Sequence, residues 1–432
     1  MSFVSKARSW LLLVSEYAGV QIAVKALSAV GALLLINILP VEEYGVFTLL
    51  LATLTFLVSF SDFGATGSLL YFWRRAKKKV RIFSIYVHAV FRIRRSLFIG
   101  SAALSLVYLL GIYYFKQYDI VGIAVGSGLM ILATWHLIQA GTWVYVFRVE
   151  NHFKQSYVVE VAGELTKLIA VLLLWGTGFM YGWAAMACVL AGAYVSAKVA
   201  SLFSGKGNTV KQVHGDRVMR IADGAVKGQV IPTIPWTIFF AVQGPLVAWL
   251  AATFGTVRSL AEVGALGRLG AIIGLISGFT ISVFVPKLTH VHQEDLYLKY
   301  YLGWWLVLFG IGSILLGLIW IWPSVLLMLL GKQYKGLQIE LFIAAATSVF
   351  MTFEYYAGAI NRARGWIKGQ ALRIAVIVVG QVAMVPFLDF QLTADLLVFG
   401  LGTAILAMLV QLGFNVAGFW AWHLHPNAGH AR

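Results

Sequence analysis

Long apolar runs separated by short, mostly basic polar stretches dominate the chain. A membrane-spanning helix needs about 20 apolar residues. Twelve runs meet that length: 17–38, 45–73, 96–115, 119–147, 157–176, 179–203, 229–254, 261–286, 300–322, 338–360, 370–388 and 394–422. The pattern predicts an all-α integral membrane fold of twelve transmembrane helices. Tight turns are expected at Gly176–Gly178 and at Asp389–Thr393. The apolar run Trp10–Val14 is too short for a cleavable signal. With Lys6 and Arg8 before it, the stretch 3–15 predicts a short amphipathic helix on the membrane surface.

Composition agrees with this pattern. Apolar residues make up 60% of the chain and charged residues 12%, against about 25% charged in a soluble domain. Fifteen Trp and 18 Tyr suit the aromatic belts at membrane interfaces. The net charge of +16 raises the question of nucleic acid, and the positions of the cations answer it. Of 33 Lys and Arg, 26 fall in segments on the N-terminal side of the membrane, 4 in the opposite loops and 3 inside predicted helices. Basic loops stay in the cytoplasm, so both termini are expected there and no nucleic acid is needed. The Arg74–Arg81 run is expected to meet anionic lipid headgroups. The single cysteine, Cys188, excludes an intrachain disulfide and reads as a helix-packing residue.

Two halves echo each other. Glu43-Tyr44-Gly45-Val46 opens the second helix and Glu262-Val263-Gly264-Ala265 the eighth, 219 positions later, and Phe60 matches Phe279 at that offset. Arg148 and Lys154 follow the fourth helix at the spacing with which Arg362 and Lys368 follow the tenth. Duplication of this kind is common in transporters. The expected organisation is two pseudo-symmetric six-helix bundles, 1–204 and 229–423, joined by a basic cytoplasmic linker, 205–228, with a tail at 424–432.

No phosphate-binding Walker loop is present, so the chain is not itself an ATPase. His423, His425 and His430 make only a weak metal pattern, and no metal or other cofactor is expected. Charges inside the bilayer are costly and therefore informative. Lys25 lies nine residues beyond Glu16, which is about 13 Å along a helix. Lys167 sits at similar depth, and Arg268 lies in the eighth helix. Cations facing an aqueous cavity suit an anionic substrate such as a phosphate or pyrophosphate. The plainer readings are snorkelling or, for Lys167, an ion pair with Glu160 or Glu164 on the same helical face. Asp62, Glu354 and Glu164 are candidates for binding a coupling H⁺ or Na⁺. Asp62 has a plainer role open to it, satisfying backbone groups near Gly64 and Gly67. In the seventh helix Pro232, Pro235 and Pro245, the last after Gly244, predict kinks that are either a moving gate or a static bend.

Several short motifs together resemble a known family. They are Leu39-Pro40-Val41-Glu42-Glu43-Tyr44-Gly45-Val46-Phe47, Ser61-Asp62-Phe63-Gly64, Leu330-Gly331-Lys332-Gln333-Tyr334, and the Arg148 and Arg362 segments. The chain resembles the polysaccharide-type flippases (O-antigen and exopolysaccharide repeat-unit flippases) of the multidrug/oligosaccharidyl-lipid/polysaccharide (MOP) superfamily, and the 6+6 layout extends the resemblance over nearly its whole length. The resemblance implies two bundles around a cavity opened alternately to each side. It implies a substrate, an undecaprenyl-pyrophosphate-linked oligosaccharide, carried from the cytoplasmic to the periplasmic leaflet of the bacterial inner membrane for assembly of O-antigen, capsule or exopolysaccharide. A polysaccharide polymerase and a chain-length regulator would be the partners. Lys25 and Arg268 stand on the helices whose cations hold the pyrophosphate in related lipid-precursor flippases, with Lys167 as a third candidate. Lys25 departs from the Arg commoner there, which weakens a bidentate phosphate contact. Trp143, Trp236 and Tyr355 are candidate sugar-stacking aromatics. Two rivals remain: a MATE-like cation-coupled drug antiporter with the same layout, and a membrane-embedded glycan transferase, for which the short external loops provide no catalytic platform.

Overall fold

The computed structural model describes residues 3–77, 79–116, 120–206, 216–280, 285, 288, 294–364, 366 and 370–424. The described secondary structure is helical throughout. The helices are α1 (Phe3–Ile38), α2 (Val41–Phe60), α3 (Ala65–Arg75), α4 (Val80–Lys116), α5 (Ile120–Val149), α6 (Phe153–Thr177), α7 (Gly182–Lys206), α8 (Asp216–Val230), α9 (Ile234–Gln243), α10 (Leu246–Phe254), α11 (Val257–Phe279), α12 (Glu294–Ile321), α13 (Pro323–Leu330), α14 (Gln338–Arg364), α15 (Gln370–Met384) and α16 (Thr393–Leu424). Seven stretches among the described residues are long and apolar enough to cross a membrane: Val41–Arg75, Val80–Lys116, Val121–Val149, Gly182–Ser204, Arg217–Gln243, Leu296–Ile321 and Thr393–Ala421. Ile22–Ile38 and Leu372–Phe387 are shorter apolar helices. Leu104, Val107, Leu110 and Phe115 on α4, and Leu306, Phe309 and Ile314 on α12, are exposed. Side chains of this kind need an apolar solvent, and the protein is a multi-pass membrane protein.

The helix boundaries correct several expectations. The surface helix 3–15 is not separate, because α1 runs unbroken from Phe3 to Ile38. The third span does not begin at 96; α4 starts at Val80 and has 37 residues. At 1.5 Å per residue it is about 55 Å long. The second span is broken inside Ser61-Asp62-Phe63-Gly64, where Phe63 (φ 41°) and Gly64 (φ 75°) are left-handed. The stretch expected as a linker carries α8, whose Ala222, Val226 and Val230 are buried against Phe72, Phe83, Val87 and Val90 of α3 and α4. Residues 207–215 and the tail from 425 lie outside the described residues.

The chain forms two compact units, Gly19–Ala261, and Glu262–Arg432 together with Met1–Ala18. In the first, α7 packs along α5 and α6, while α2 touches α4, α5, α7, α9 and α10. Small residues let these helices approach closely. A Cβ at Gly163 on α6 would meet Ser196 Oγ and the Gly192 carbonyl of α7. Cys188 is buried on α7 as a free thiol. In the second unit α14 and α15 pack along α16, and α12 along α14, around Tyr297, Tyr301, Phe353 and Tyr356. The fourth and fifth helices of each half therefore embrace the sixth in the same way.

One contact shows the repeat at atomic level. The Glu43 carboxylate near the start of α2 accepts from the Gly182 N–H at the start of α7 at 2.6 Å. Glu262, its counterpart in the sequence echo, accepts from Thr393 Oγ1 at the start of α16, also at 2.6 Å. In both halves a carboxylate thus lies where the helix dipole favours negative charge. A Cβ at Gly182 would lie 2.5 Å from the Glu43 carbonyl, so this corner admits only glycine.

Candidate functional site

The charges predicted to lie within the bilayer fall into three environments. Lys25 on α1 is exposed, and Arg268 on α11 is half-buried. Among the described residues neither has a hydrogen bond or ion pair. Glu262, the carboxylate nearest Arg268 along the chain, is engaged by Thr393. Lys167 is half-buried on α6 and pairs with Glu164. Its ammonium also donates to Ser28 Oγ at 3.2 Å. Ser28 lies three residues beyond Lys25 on α1, so Lys167 is held about one turn from Lys25. Glu164 pairs with Lys167, and Lys25 brings a further positive charge to this stretch. Glu160, the other predicted partner for Lys167, pairs instead with Arg148 on α5 at 2.7 Å.

Asp62 occupies the break between α2 and α3. Its Oδ1 accepts from the Thr66 N–H at 3.2 Å and from Thr66 Oγ1, which satisfies backbone freed by the left-handed turn. It also faces Arg94 of α4, with Nε 3.3 Å from Oδ1 in an ionic contact not aligned as a hydrogen bond. Arg94 NH1 donates to Thr66 Oγ1 (3.0 Å), the Ile138 carbonyl (3.3 Å) and Thr142 Oγ1 (2.5 Å). One buried guanidinium thereby ties a turn and three helices together.

Glu354 on α14 is buried and bonded to Arg373 of α15, which is 2% exposed. Beside this pair on α14, Asn361 Nδ2 donates to Gln411 Oε1 (2.7 Å) and to the Gln411 carbonyl (3.0 Å) on α16. Asn415 Nδ2 donates to the Ala357 carbonyl at 3.0 Å. Charge position alone had assigned Arg94 and Arg373 to cytoplasmic loops; the structure corrects both to the protein interior. The available signal was spacing. Arg94 lies two residues before the predicted third span, and Arg373 three residues inside the eleventh.

The prolines of the seventh span break it. Pro232 lies in a 3₁₀ turn (Ile231–Thr233), Pro235 is the second residue of α9, and Pro245 with Gly244 separates α9 from α10. The broken helix is held by Thr233 Oγ1 donating to the Phe63 carbonyl at 2.9 Å. Further along, Trp249 stacks edge-on to Phe56 at 5.0 Å. The candidate sugar-stacking aromatics differ in surroundings. Trp143 is half-buried between Phe91 and Phe147, Trp236 leans on Phe240, and Tyr355 is exposed beside Glu354.

Comparison with known proteins places this geometry in a fold. No protein-family model matches the chain, and no curated relative does. Solved structures do match. A multidrug-resistance MATE family transporter of the MOP superfamily in an inward-facing conformation is 12% identical with a TM-score of 0.65, covering 94% of this chain and 98% of its own. The lipid II flippase MurJ, in an inward closed conformation, is 12% identical with a TM-score of 0.65, covering 96% of this chain and 90% of its own. A MOP superfamily transporter from Pyrococcus furiosus is 14% identical with a TM-score of 0.61 and covers 94% of each chain. At such identities the likeness establishes the fold: this chain has the helical architecture of the MOP transporters, and the neighbours that carry it are transporters and a flippase.

Proposed function

We propose that the protein is a flippase that carries an undecaprenyl-pyrophosphate-linked oligosaccharide repeat unit from the cytoplasmic to the periplasmic leaflet of a bacterial inner membrane, by alternating access, for surface polysaccharide assembly. The observation that carries this reading is the excess positive charge of α1 and α6. There Lys25 has no carboxylate partner among the described residues and lies about one turn from the Lys167–Glu164 pair. Arg268 adds a second cation without a described partner, on α11. Cations held in apolar helices recognise a pyrophosphate, and we assign Lys25, Lys167 and Arg268 to that task. A polysaccharide polymerase and a chain-length regulator are the protein partners this reading calls for.

The fold fits a MATE-like antiporter equally well. The arginine-paired acids favour the flippase. A proton- or sodium-coupled exporter of cationic drugs needs carboxylates free to exchange their cation. Asp62 and Glu354 are each already matched to an arginine. Glu164, the remaining coupling-ion candidate, is paired with a lysine rather than an arginine, and we assign to it any part in coupling by H⁺ or Na⁺. The broken seventh span, at Pro232, Pro235, Gly244 and Pro245, is assigned the role of gate.

Reconstitution into proteoliposomes tests the reading. A fluorescent undecaprenyl-pyrophosphate disaccharide is scored for transfer by quencher accessibility, and a cationic dye is scored for export under a proton gradient. Transfer of the lipid, reduced about tenfold or more in K25Q and R268Q, is the expected result. Dye export without lipid transfer would establish the antiporter instead.

A further inference from the structure

A second cationic groove lies in the first unit, independent of the flippase reading. Between α4, α5, α7 and α8 lies an open groove of about 450 Å³. Arg92 and Arg95 of α4 line it with Gln139 of α5 and Ser201 of α7, above walls made by Trp135 and Trp143. The two arginines differ in charge balance. Arg92 NH1 is bonded to Asp223 of α8 at 2.9 Å, so its charge is offset. Arg95 has no carboxylate partner among the described residues; its guanidinium lies over the Trp135 ring at 5.9 Å. His88, also in the lining, uses its Nδ1–H on the Ser84 carbonyl at 2.7 Å. The groove therefore offers one uncompensated guanidinium, neutral polar groups and an apolar aromatic wall.

Its depth is set by α4. Beyond the groove, the main exposed apolar stretch of that helix runs from Ile99 through Leu104, Val107 and Leu110 to Phe115. Arg95 and Arg92 lie one and two turns before it, which puts them about 6 and 10 Å beyond its end. That is headgroup depth, where an arginine meets a phosphodiester and an aromatic wall meets the upper part of an acyl chain.

We propose that this groove binds one anionic phospholipid, its phosphodiester monoanion held by Arg95 with Gln139 and Ser201, and its glycerol and upper chains lying against Trp135 and Trp143. A single uncompensated positive charge selects a monoanion over a zwitterion. The test uses the full chain, delipidated in detergent and titrated with phosphatidylglycerol or phosphatidylcholine by native mass spectrometry. Brominated phosphatidylglycerol reports contact through tryptophan quenching. Phosphatidylglycerol is expected to bind in preference to phosphatidylcholine, with affinity lowered about tenfold or more in R95Q. S201W, which fills the groove and leaves its charges alone, is expected to lose a similar factor, and W135F to lose part of the quenching. Should R95Q fail to fold, judged by its melting curve, S201W and W135F carry the test. Equal retention of phosphatidylcholine overturns the proposal, as does unchanged binding in S201W. Displacement of the lipid by millimolar inorganic phosphate also overturns it, since the site would then take free phosphate.

Discussion

Each unit buries an arginine, and the two are held differently. In Gly19–Ala261, Arg94 has four oxygen contacts besides its own helix: one carboxylate, on Asp62, and three neutral acceptors, on Thr66, Ile138 and Thr142. The Asp62 side chain is 29% exposed. In Glu262–Arg432, Arg373 depends on Glu354, and the two side chains are 2% and 9% exposed. A guanidinium spread over neutral oxygens tolerates loss of its carboxylate. A guanidinium bonded to a buried acid tolerates that loss less, because removing the acid takes away a charge partner in a medium of low dielectric. The first unit thus uses its arginine as a strut between helices, and the second uses its arginine as half of a neutral pair.

This contrast can be broken most sharply at Glu354. E354Q is expected to destabilise the protein by about 3–5 kcal/mol, read as a fall in melting temperature in detergent. Replacing both partners, E354L with R373L, is expected to recover most of that loss. If the double variant melts no higher than E354Q, the pair does more than neutralise itself. D62N comes next. It leaves Arg94 its neutral acceptors and is expected to cost about 1–3 kcal/mol; a loss equal to that of E354Q would erase the distinction between the units. The corner carboxylates give a smaller effect and test the repeat. E43A and E262A are each expected to cost about 1–2 kcal/mol, the former more because its partner is a backbone N–H that no rotamer change can re-pair. The smallest effect belongs to Arg148–Glu160, whose side chains are 29% and 24% exposed; E160Q is expected to shift stability by about 0–1 kcal/mol.

Much of this molecule was legible before its structure. The described residues of the twelve predicted spans lie almost wholly in helices, with the second and seventh spans interrupted. The Glu43 and Glu262 echoes proved to be the same inter-helix contact. Prolines marked where the seventh span is cut. The site was less legible. Lys167 was read with two possible partners, and the fold divided them, giving Glu164 to Lys167 and Glu160 to Arg148. Arg94 and Arg373 were misread because a basic residue near a span end looks cytoplasmic whether its helix stops there or continues. The groove beside Arg95 left no trace in the linear pattern, since its four walls come from helices far apart in the chain.

The sequence by itself determined that the chain lives in lipid and folds into long apolar helices, and it pointed to two related halves. These properties follow from apolar run length, charge placement and repetition, all of which act locally along the chain. Only the tertiary structure decided which charges are matched. An ion pair is set by a few ångströms of side-chain reach between helices, and helix order does not specify the rotation and depth at which those helices meet. That is why the ion pairs of Asp62 and Glu354 with buried arginines appear only in the fold, while Lys25 and Arg268, without an ionic partner among the described residues, carry the charge on which the functional proposal stands.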